Sequence, residues 1–256
     1  MELSGPHIAL AGHRVLVTGA ARGLGRGMAE AFAAWGASVA VADLDAAGAA
    51  ETLARIRQPQ AAFWAGRLDV TDAEDVARVV EASWSALGAI DLLVNNAGIL
   101  SVANVADLEP AEWRRVMEVN ATGTFLVARA VVRAMLRARH PGSIVSIASI
   151  AARRGDPGLA HYSASKFAVI GFTQALAREV AAHGITVNAV CPGVVRTAMI
   201  DALARDVNVG VEEWIGKQAI SRAQTAEDVA FAVAFLHRSR AVTGQAVNVD
   251  GGSIFS

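Results

Sequence analysis

Short apolar runs rich in β-branched residues alternate along this chain with longer, alanine-rich stretches of helical period, and few architectures accept that alternation. The strand-like runs are residues 14–18, 38–42, 61–68, 90–94, 142–148, 185–190 and 245–249. Helical patterning covers 23–35, 45–56, 72–87, 112–139, 160–183 and 225–236. Asp45, Thr71 or Asp72, and Thr225 followed by Glu227 and Asp228 stand where helix caps belong. Strand, helix, strand in strict rotation predicts βαβ units on a parallel sheet. The rotation stops after Val190. Residues 191–222, with Pro192, Gly193, Gly210 and Gly216, read as an irregular break, and one of that length inside a compact domain suits a substrate lid at about 194–222.

Composition narrows the functions open to such a chain. Its 256 residues suit one core; 54% are hydrophobic, but 55 of the 256 are small alanines, as close helix packing requires. Lysines and arginines number 23 against 24 acids, so there is no basic footprint for a nucleic acid or an anionic membrane. Near the N-terminus the longest uncharged stretch, 31–42, falls short of the roughly 20 residues a membrane span needs. The start from Met1 to Pro6 lacks a cationic signal-peptide region. Cys191 is the single cysteine, so neither a disulfide framework nor a zinc site is expected, and the reducing cytoplasm is compatible. No metal set is expected. Residues 1–10 read as a loosely held lead-in and 11–256 as one catalytic domain.

The first strand runs directly into Thr18-Gly19-Ala20-Ala21-Arg22-Gly23-Leu24-Gly25 and then a helix. Glycines there let the backbone turn sharply and approach a ligand, while free N–H groups at the helix start attract a pyrophosphate. A tight structural turn satisfies the same spacing. Asp43 ends the second strand, where an acid accepts hydrogen bonds from an adenosine ribose and repels a 2′-phosphate; as a bland alternative it caps the next helix. Asp69 and Val70 after the third strand hold an adenine, or merely cap. Arg22 leaves a route to a 2′-phosphate.

The chain has one tyrosine, Tyr162, and two lysines, Lys166 and Lys217. Tyr162 and Lys166 are four apart in a helix, so they share a face. An ammonium near a phenol favours the phenolate and makes it a usable acid/base. A snorkelling lysine beside a half-buried tyrosine is the alternative for the pair alone.

Together these segments resemble the short-chain dehydrogenase/reductase family from about Ala11 to Gly252: the glycine turn, Asp69-Val70, Asn95-Asn-Ala-Gly98, Asn120, Ser149, Tyr162-Ser-Ala-Ser-Lys166, Pro192-Gly193 through Thr197, and Asp250-Gly-Gly252. The resemblance implies a Rossmann-type, doubly wound α/β domain with a seven-stranded parallel sheet flanked by helices on both faces. It implies Tyr162 as general acid/base, Ser149 as the serine that holds the substrate oxygen, Lys166 as the residue that lowers the phenol pKa and holds the nicotinamide ribose, and Asn120 as the keeper of a relay water. Ser146 is the competing register for Ser149. Cofactor contacts are implied for Gly19, Arg22, Gly23, Leu24, Gly25, Asp43, Asp69, Val70, Asn96, Ala97, Gly98, Tyr162, Lys166, Pro192, Gly193, Val195 and Thr197, with Asn95 tying strands together.

With Asp43 in place, the expected cofactor is NAD rather than NADP, and the reaction a reversible exchange of hydride between a secondary alcohol and its ketone. The style of the lid favours a polyol, sugar alcohol or diol. An NADP-dependent ketone or 3-oxoacyl-thioester reductase is the second reading, and a non-catalytic dinucleotide-binding sensor a remote third. Trp214 and Met199 either line the pocket or pack the lid; Arg153 and Arg154 either meet an anionic substrate or are solvated. The resemblance also implies a cytoplasmic homotetramer built on the helices at 112–139 and 160–183 and on the last helix and strand. Neither a nucleic acid nor a membrane is expected as partner.

Overall fold

The computed structural model describes residues 8–56 and 63–255. In chain order the elements are β1 (Arg14–Thr18), α1 (Gly23–Ala34), β2 (Ser38–Asp43), α2 (Ala46–Arg55), β3 (Phe63–Arg67), α3 (Ala73–Leu87), β4 (Leu92–Asn95), α4 (Pro110–Met117), α5 (Gly123–Ala138), β5 (Gly142–Ile147), α6 (Ala160–Val180), β6 (Ile185–Pro192), α7 (Ala198–Asp206), α8 (Val211–Gly216), α9 (Ala226–Arg238) and β7 (Ala246–Val249). The strands form one parallel sheet in the order β3-β2-β1-β4-β5-β6-β7. Its order reverses between β1 and β4, which opens a crevice at their C-terminal ends.

Alternation along the strands divides the core into two layers. Val15 and Val17 of β1 turn toward Met28 and Phe32 of α1 and Val229 and Val233 of α9. Leu16, between them, joins Val127 and Val131 of α5, Val79 of α3 and Leu176 of α6 on the opposite face. Phe32, fully buried, would cost about 3–5 kcal/mol if cut to alanine. Asp45 and Asp72 cap α2 and α3 through their carboxylates, and Thr225 with Asp228 forms a reciprocal capping box at α9.

The structure differs from the sequence pattern in four places. The helix expected over 112–139 begins at Pro110 and is interrupted by a turn of π-helix from Glu118 to Thr122, because one extra residue is accommodated between α4 and α5. β6 runs on through Cys191 and Pro192, and the irregular break beyond it contains α7 and α8, whose short amphipathic stretches are masked by the neighbouring glycines. Leu10, assigned to the lead-in, is fully buried and donates its N–H to the Trp35 carbonyl; residues 1–7 of that lead-in lie outside the described residues. The third strand starts at Phe63, and the expected residues 61–62 also lie outside them.

The run Pro110–Ala138 is long and apolar enough to cross a membrane by length and composition, but its most apolar window is half buried inside the fold. Val127, Ala128, Val131 and Met135 pack into the second core layer, which makes α5 a core helix.

Candidate active site

The loop at the end of β1 is built so that two strands touch across it. Gly19 has φ +64, and a Cβ there would stand 2.6 Å from the Ala97 Cα; a Cβ on Gly25 would stand 2.2 Å from the Gly19 carbonyl oxygen. Asn96 fills this junction, donating from Nδ2 to the carbonyls of Thr18 and Gly19 at 3.0 and 2.8 Å. The Thr18 hydroxyl accepts the N–H groups of Asn96 and Ala97. Asn95 reaches the other way, to the Thr124 carbonyl at 3.2 Å. Both asparagines therefore tie main chain together.

Gly23, at φ +56, opens α1, and a Cβ there would first meet Thr197 Cγ2 at 3.6 Å, so Thr197 stands directly over the turn. Helix α1 has no side-chain cap and no acid in its first turn, which leaves its positive end free for an anion. Those features fit a dinucleotide phosphate. Leu24 behind the turn packs into the first core layer, and Arg22 is exposed beside it. Asp43 turns its carboxylate back on the turn, accepting Ala21 N–H at 2.9 Å and Asp45 N–H at 3.0 Å.

Two residues that carry no sequence signal brace the turn from behind. Thr52 donates to the Ala20 carbonyl at 2.8 Å, and Arg26 joins Thr52 at 3.0 Å, Glu51 at 2.9 Å and the Ala21 carbonyl. Asp69 spends one carboxylate oxygen on the Thr71 N–H and hydroxyl, at 3.0 and 2.7 Å, while the cap of α3 is Asp72. Val70 lies against Gly123, whose Cβ would come within 2.7 Å of it.

Ser149 follows the end of β5 and caps a short turn by accepting the Ala151 N–H at 3.1 Å. Its side chain neighbours the Tyr162 phenol and draws the phenol pKa down. Ser146 stays inside β5 with a buried hydroxyl that has no partner, so Ser149 is the serine that reaches the tyrosine. Lys166, 5% exposed, donates to the Ile147 carbonyl at 2.9 Å and stands 5.8 Å from the Tyr162 ring centre. Burial pushes the Tyr162 phenol up, opposed by neighbouring Ser149, and pushes the Lys166 ammonium down to about 8. The lowering of the phenol expected from its lysine is not found here: burial sets the direction, opposed by Ser149.

Asn120 sits in the π turn, fully buried. Its side chain accepts Ile99 N–H at 2.8 Å and donates to the Ile99 carbonyl at 2.9 Å and to Ser165 at 3.0 Å. Gly98 completes this corner: a Cβ there would lie 3.2 Å from Asn120 Oδ1 and 3.4 Å from Lys166 Nζ. Ser149, Tyr162 and Lys166, expected from the sequence, thus come together at one end of the crevice, with Asn120 buried behind Gly98.

The far wall comes from the chain after β6. Gly193 presses on Asp250, with 2.8 Å left between a Cβ and the Asp250 Cα, and donates its N–H to the Val249 carbonyl. Pro192 ends β6, and Val195 is buried and bridges to Gln224. Thr197 caps α7. Beyond it, Leu203 packs with Tyr162, Ala151, Leu159, Leu100 and Val102 in an apolar cluster. Leu203, rather than Met199 or Trp214, is the lid residue in that cluster; Met199 is 40% exposed. Arg153 is not solvated: it bonds the Asn248 side chain at 3.0 Å and the Ala246 carbonyl, and Arg154 pairs with Asp156 at 3.3 Å. Burial pushes the Cys191 thiol up, as suits a packed residue.

Comparison with known proteins agrees with this geometry. A family model described as short chain dehydrogenase matches residues 13–208. The chain is 39% identical over 244 residues to the 3-oxoacyl-(acyl-carrier-protein) reductase FabG of Escherichia coli (strain K12), covering 94% of this chain and 97% of that one. It is 40% identical over 254 residues to L-2,3-butanediol dehydrogenase of Corynebacterium glutamicum, covering 94% and 98%. A crystal structure of a short-chain type dehydrogenase/reductase from Mycobacterium marinum superposes with a TM-score of 0.90 at 34% identity, covering 97% of this chain and 98% of the other.

Proposed function

The chain belongs to the short-chain dehydrogenase family, and from that premise we propose that it is an NAD-dependent oxidoreductase interconverting a secondary alcohol, of polyol, sugar alcohol or diol type, and its ketone. One observation carries the reading: Ser149 neighbours the phenol of Tyr162, and Lys166 stands 5.8 Å from its ring centre, in a crevice whose other end is an uncapped helix and an acid.

Gly19, Arg22, Gly23, Leu24 and Gly25 would hold the pyrophosphate, Asp43 the adenosine ribose, and Asp69 and Val70 the adenine. Asn96, Ala97, Gly98, Pro192, Gly193, Val195, Thr197, Tyr162 and Lys166 would hold the nicotinamide half. When bound, the nicotinamide supplies the acceptor or donor of hydride. The protein's own part is to move a proton at one oxygen. Ser149 holds the substrate oxygen beside Tyr162, and Tyr162 takes the hydroxyl proton in oxidation or returns it in reduction. Lys166 keeps positive charge behind the phenol and so offsets its burial, and Asn120 fixes the Ile99 main chain from which a water relay can start. The segment at 194–222, with α7 and α8, serves as the substrate lid.

Asp43 favours NAD because a 2′-phosphate would meet a carboxylate whose neighbours are N–H groups already engaged. An NADP-dependent 3-oxoacyl-thioester reductase is the second reading, favoured by the likeness to FabG and by exposed Arg22. The butanediol dehydrogenase likeness supports the diol class. Exposed Phe125 on α5, Phe167 on α6 and Phe235 on α9 support a homotetramer joined through those helices, which we assign to the cytoplasm.

The deciding measurement is kcat/KM with NAD and with NADP across polyols, diols, hydroxy acids, sterols and a 3-oxoacyl thioester. Turnover of a small diol with NAD is expected; a clear preference for NADP and thioester would replace this reading with the second.

A further inference from the structure

Immediately before Tyr162 on α6 stands a fully buried histidine that the chemistry above does not use. His161 Nε2 lies 2.8 Å from the Ser101 hydroxyl, which is itself bonded to Glu112 at the start of α4. Arg115 grips the same carboxylate at 2.7 and 2.8 Å. His161 Nδ1 is buried with no partner.

The donors and acceptors fix the direction of this chain. Glu112, held down to about 2 by Arg115 and then by Ser101, is an ionised carboxylate and only accepts. Ser101 therefore donates to Glu112 and has a lone pair left for His161. His161 must donate from Nε2, so it is neutral with a bare Nδ1; an imidazolium would bury an N–H at Nδ1 with nothing to receive it.

The chain of bonds sits beneath one wall of the site. Leu100 and Val102, on either side of Ser101, pack with Tyr162, Ala151, Leu159 and Leu203. The same segment is pinned at both ends, by Asn120 on Ile99 and by the Ala103 N–H on the Gly158 carbonyl at 3.0 Å. Ser101 is the central fastening.

We propose that the His161–Ser101–Glu112 relay positions Leu100 and Val102 against Tyr162, and so restricts the site to secondary alcohols with a small, uncharged aliphatic group beside the carbinol carbon. The class fits the wall: Leu100, Val102 and Leu203 packed against Tyr162 are aliphatic, and Arg153 and Arg154 are engaged elsewhere. The proposal rests on the oxidoreductase reading for its substrate, but the relay itself does not.

Ser101→Ala, His161→Phe and His161→Gln test it, since a glutamine amide can still donate to Ser101. Ser101→Ala and His161→Phe should each raise KM for a small aliphatic alcohol about tenfold, leave KM for NAD unchanged and widen acceptance of bulkier alcohols. The double variant should be no worse than either single one, and His161→Gln should regain most of the loss. Because Tyr162 is the single tyrosine, an isotope-labelled tyrosine ring gives one resonance, which should move in the first two variants and return in the third. An unmoved resonance, or unchanged KM with only a lower melting temperature, overturns the positioning role. Wild-type protein that turns over no alcohol defeats the oxidoreductase reading alone, because the resonance needs no substrate to decide the relay.

Discussion

Lys166 rests its ammonium on the carbonyl of Ile147 at 2.9 Å, in a position 5% exposed to solvent. The Lys166 ammonium is thus held by main chain, and its buried charge costs the fold stability that the site uses for chemistry.

That cost has a sign. Lys166 titrates at about 8 when folded against 10.5 ordinarily, so below pH 8 it is charged in both states and the penalty is complete. Between pH 8 and 10.5 the folded protein releases the proton first, and stability should climb, by at most about 3 kcal/mol. The raised Tyr162 phenol acts in the opposite sense only above pH 10. Lys166→Met should flatten the slope in urea unfolding measured against pH, gain about 1–2 kcal/mol at pH 7 and be nearly inactive.

Tyr162→Phe should lower kcat by about 10³ or more, with nicotinamide affinity within a few-fold of wild type. Stopped turnover and cofactor titration by fluorescence read the two separately, and near-normal turnover would remove Tyr162 from its role.

Asp43→Ala should release the N–H groups of Ala21 and Asp45, raise KM for NAD about tenfold and bring the NADP/NAD ratio of kcat/KM toward unity. An unaltered ratio would show that the acid only fastens the turn.

At the opposite end of the sheet, Arg238 donates to His13 Nε2 at 2.6 Å, which leaves His13 Nδ1 to donate to His237 Nε2 at 2.9 Å. Burial first, then the His13 and Arg240 charges, hold His237 down to about 4; Asp91 pulls the other way and Arg238 adds to the lowering. Folded His237 refuses a proton that the unfolded chain accepts below 6.5, so stability should fall as pH drops from 6.5 to 4, by at most about 3 kcal/mol. Thermal melts of His237→Phe should show a shallower slope, what remains coming from His13 and His161, whose pKa values burial also lowers, while losses below pH 4 that come from Glu112 and Asp228 persist.

Gly25→Ala is expected to be the harshest single methyl among the described glycines. Its Cβ would stand 2.2 Å from the Gly19 carbonyl and 2.5 Å from Asn96 Nδ2, so the β1–β4 junction must open. A loss of about 2–4 kcal/mol in chemical denaturation and failure to retain NAD should accompany it; unchanged NAD binding would mean the turn is not the phosphate cradle.

Local patterns made much of this legible. Strand alternation and glycine position depend on a few neighbouring residues, and so does the four-residue offset of Tyr162 and Lys166; those features emerge in the fold as the sequence reads. What joins residues far apart did not show. His161 and Ser101 are sixty positions apart, and Arg26 and Thr52 reach the glycine turn only once α1 and α2 are packed. Arg153 looked solvated because nothing local marks its partners on β7. The direction of the Tyr162 shift depends on how completely the helix is covered, which no spacing encodes. Helices α7 and α8 were hidden by flanking Gly193, Gly210 and Gly216, which read as loop.

The π turn that carries Asn120 is equivalent to one residue inserted into a continuous helix, and an inserted residue is a rotation of about 100°. Shortening the turn by deleting Ala121 would restore a regular helix and still preserve every motif residue in order. It would also turn α4 about its axis relative to α5, carrying Glu112 away from Ser101 and the Asn120 side chain away from Ile99. The phasing of two helices, not the identity of any side chain, is what aligns the back of this site with its front.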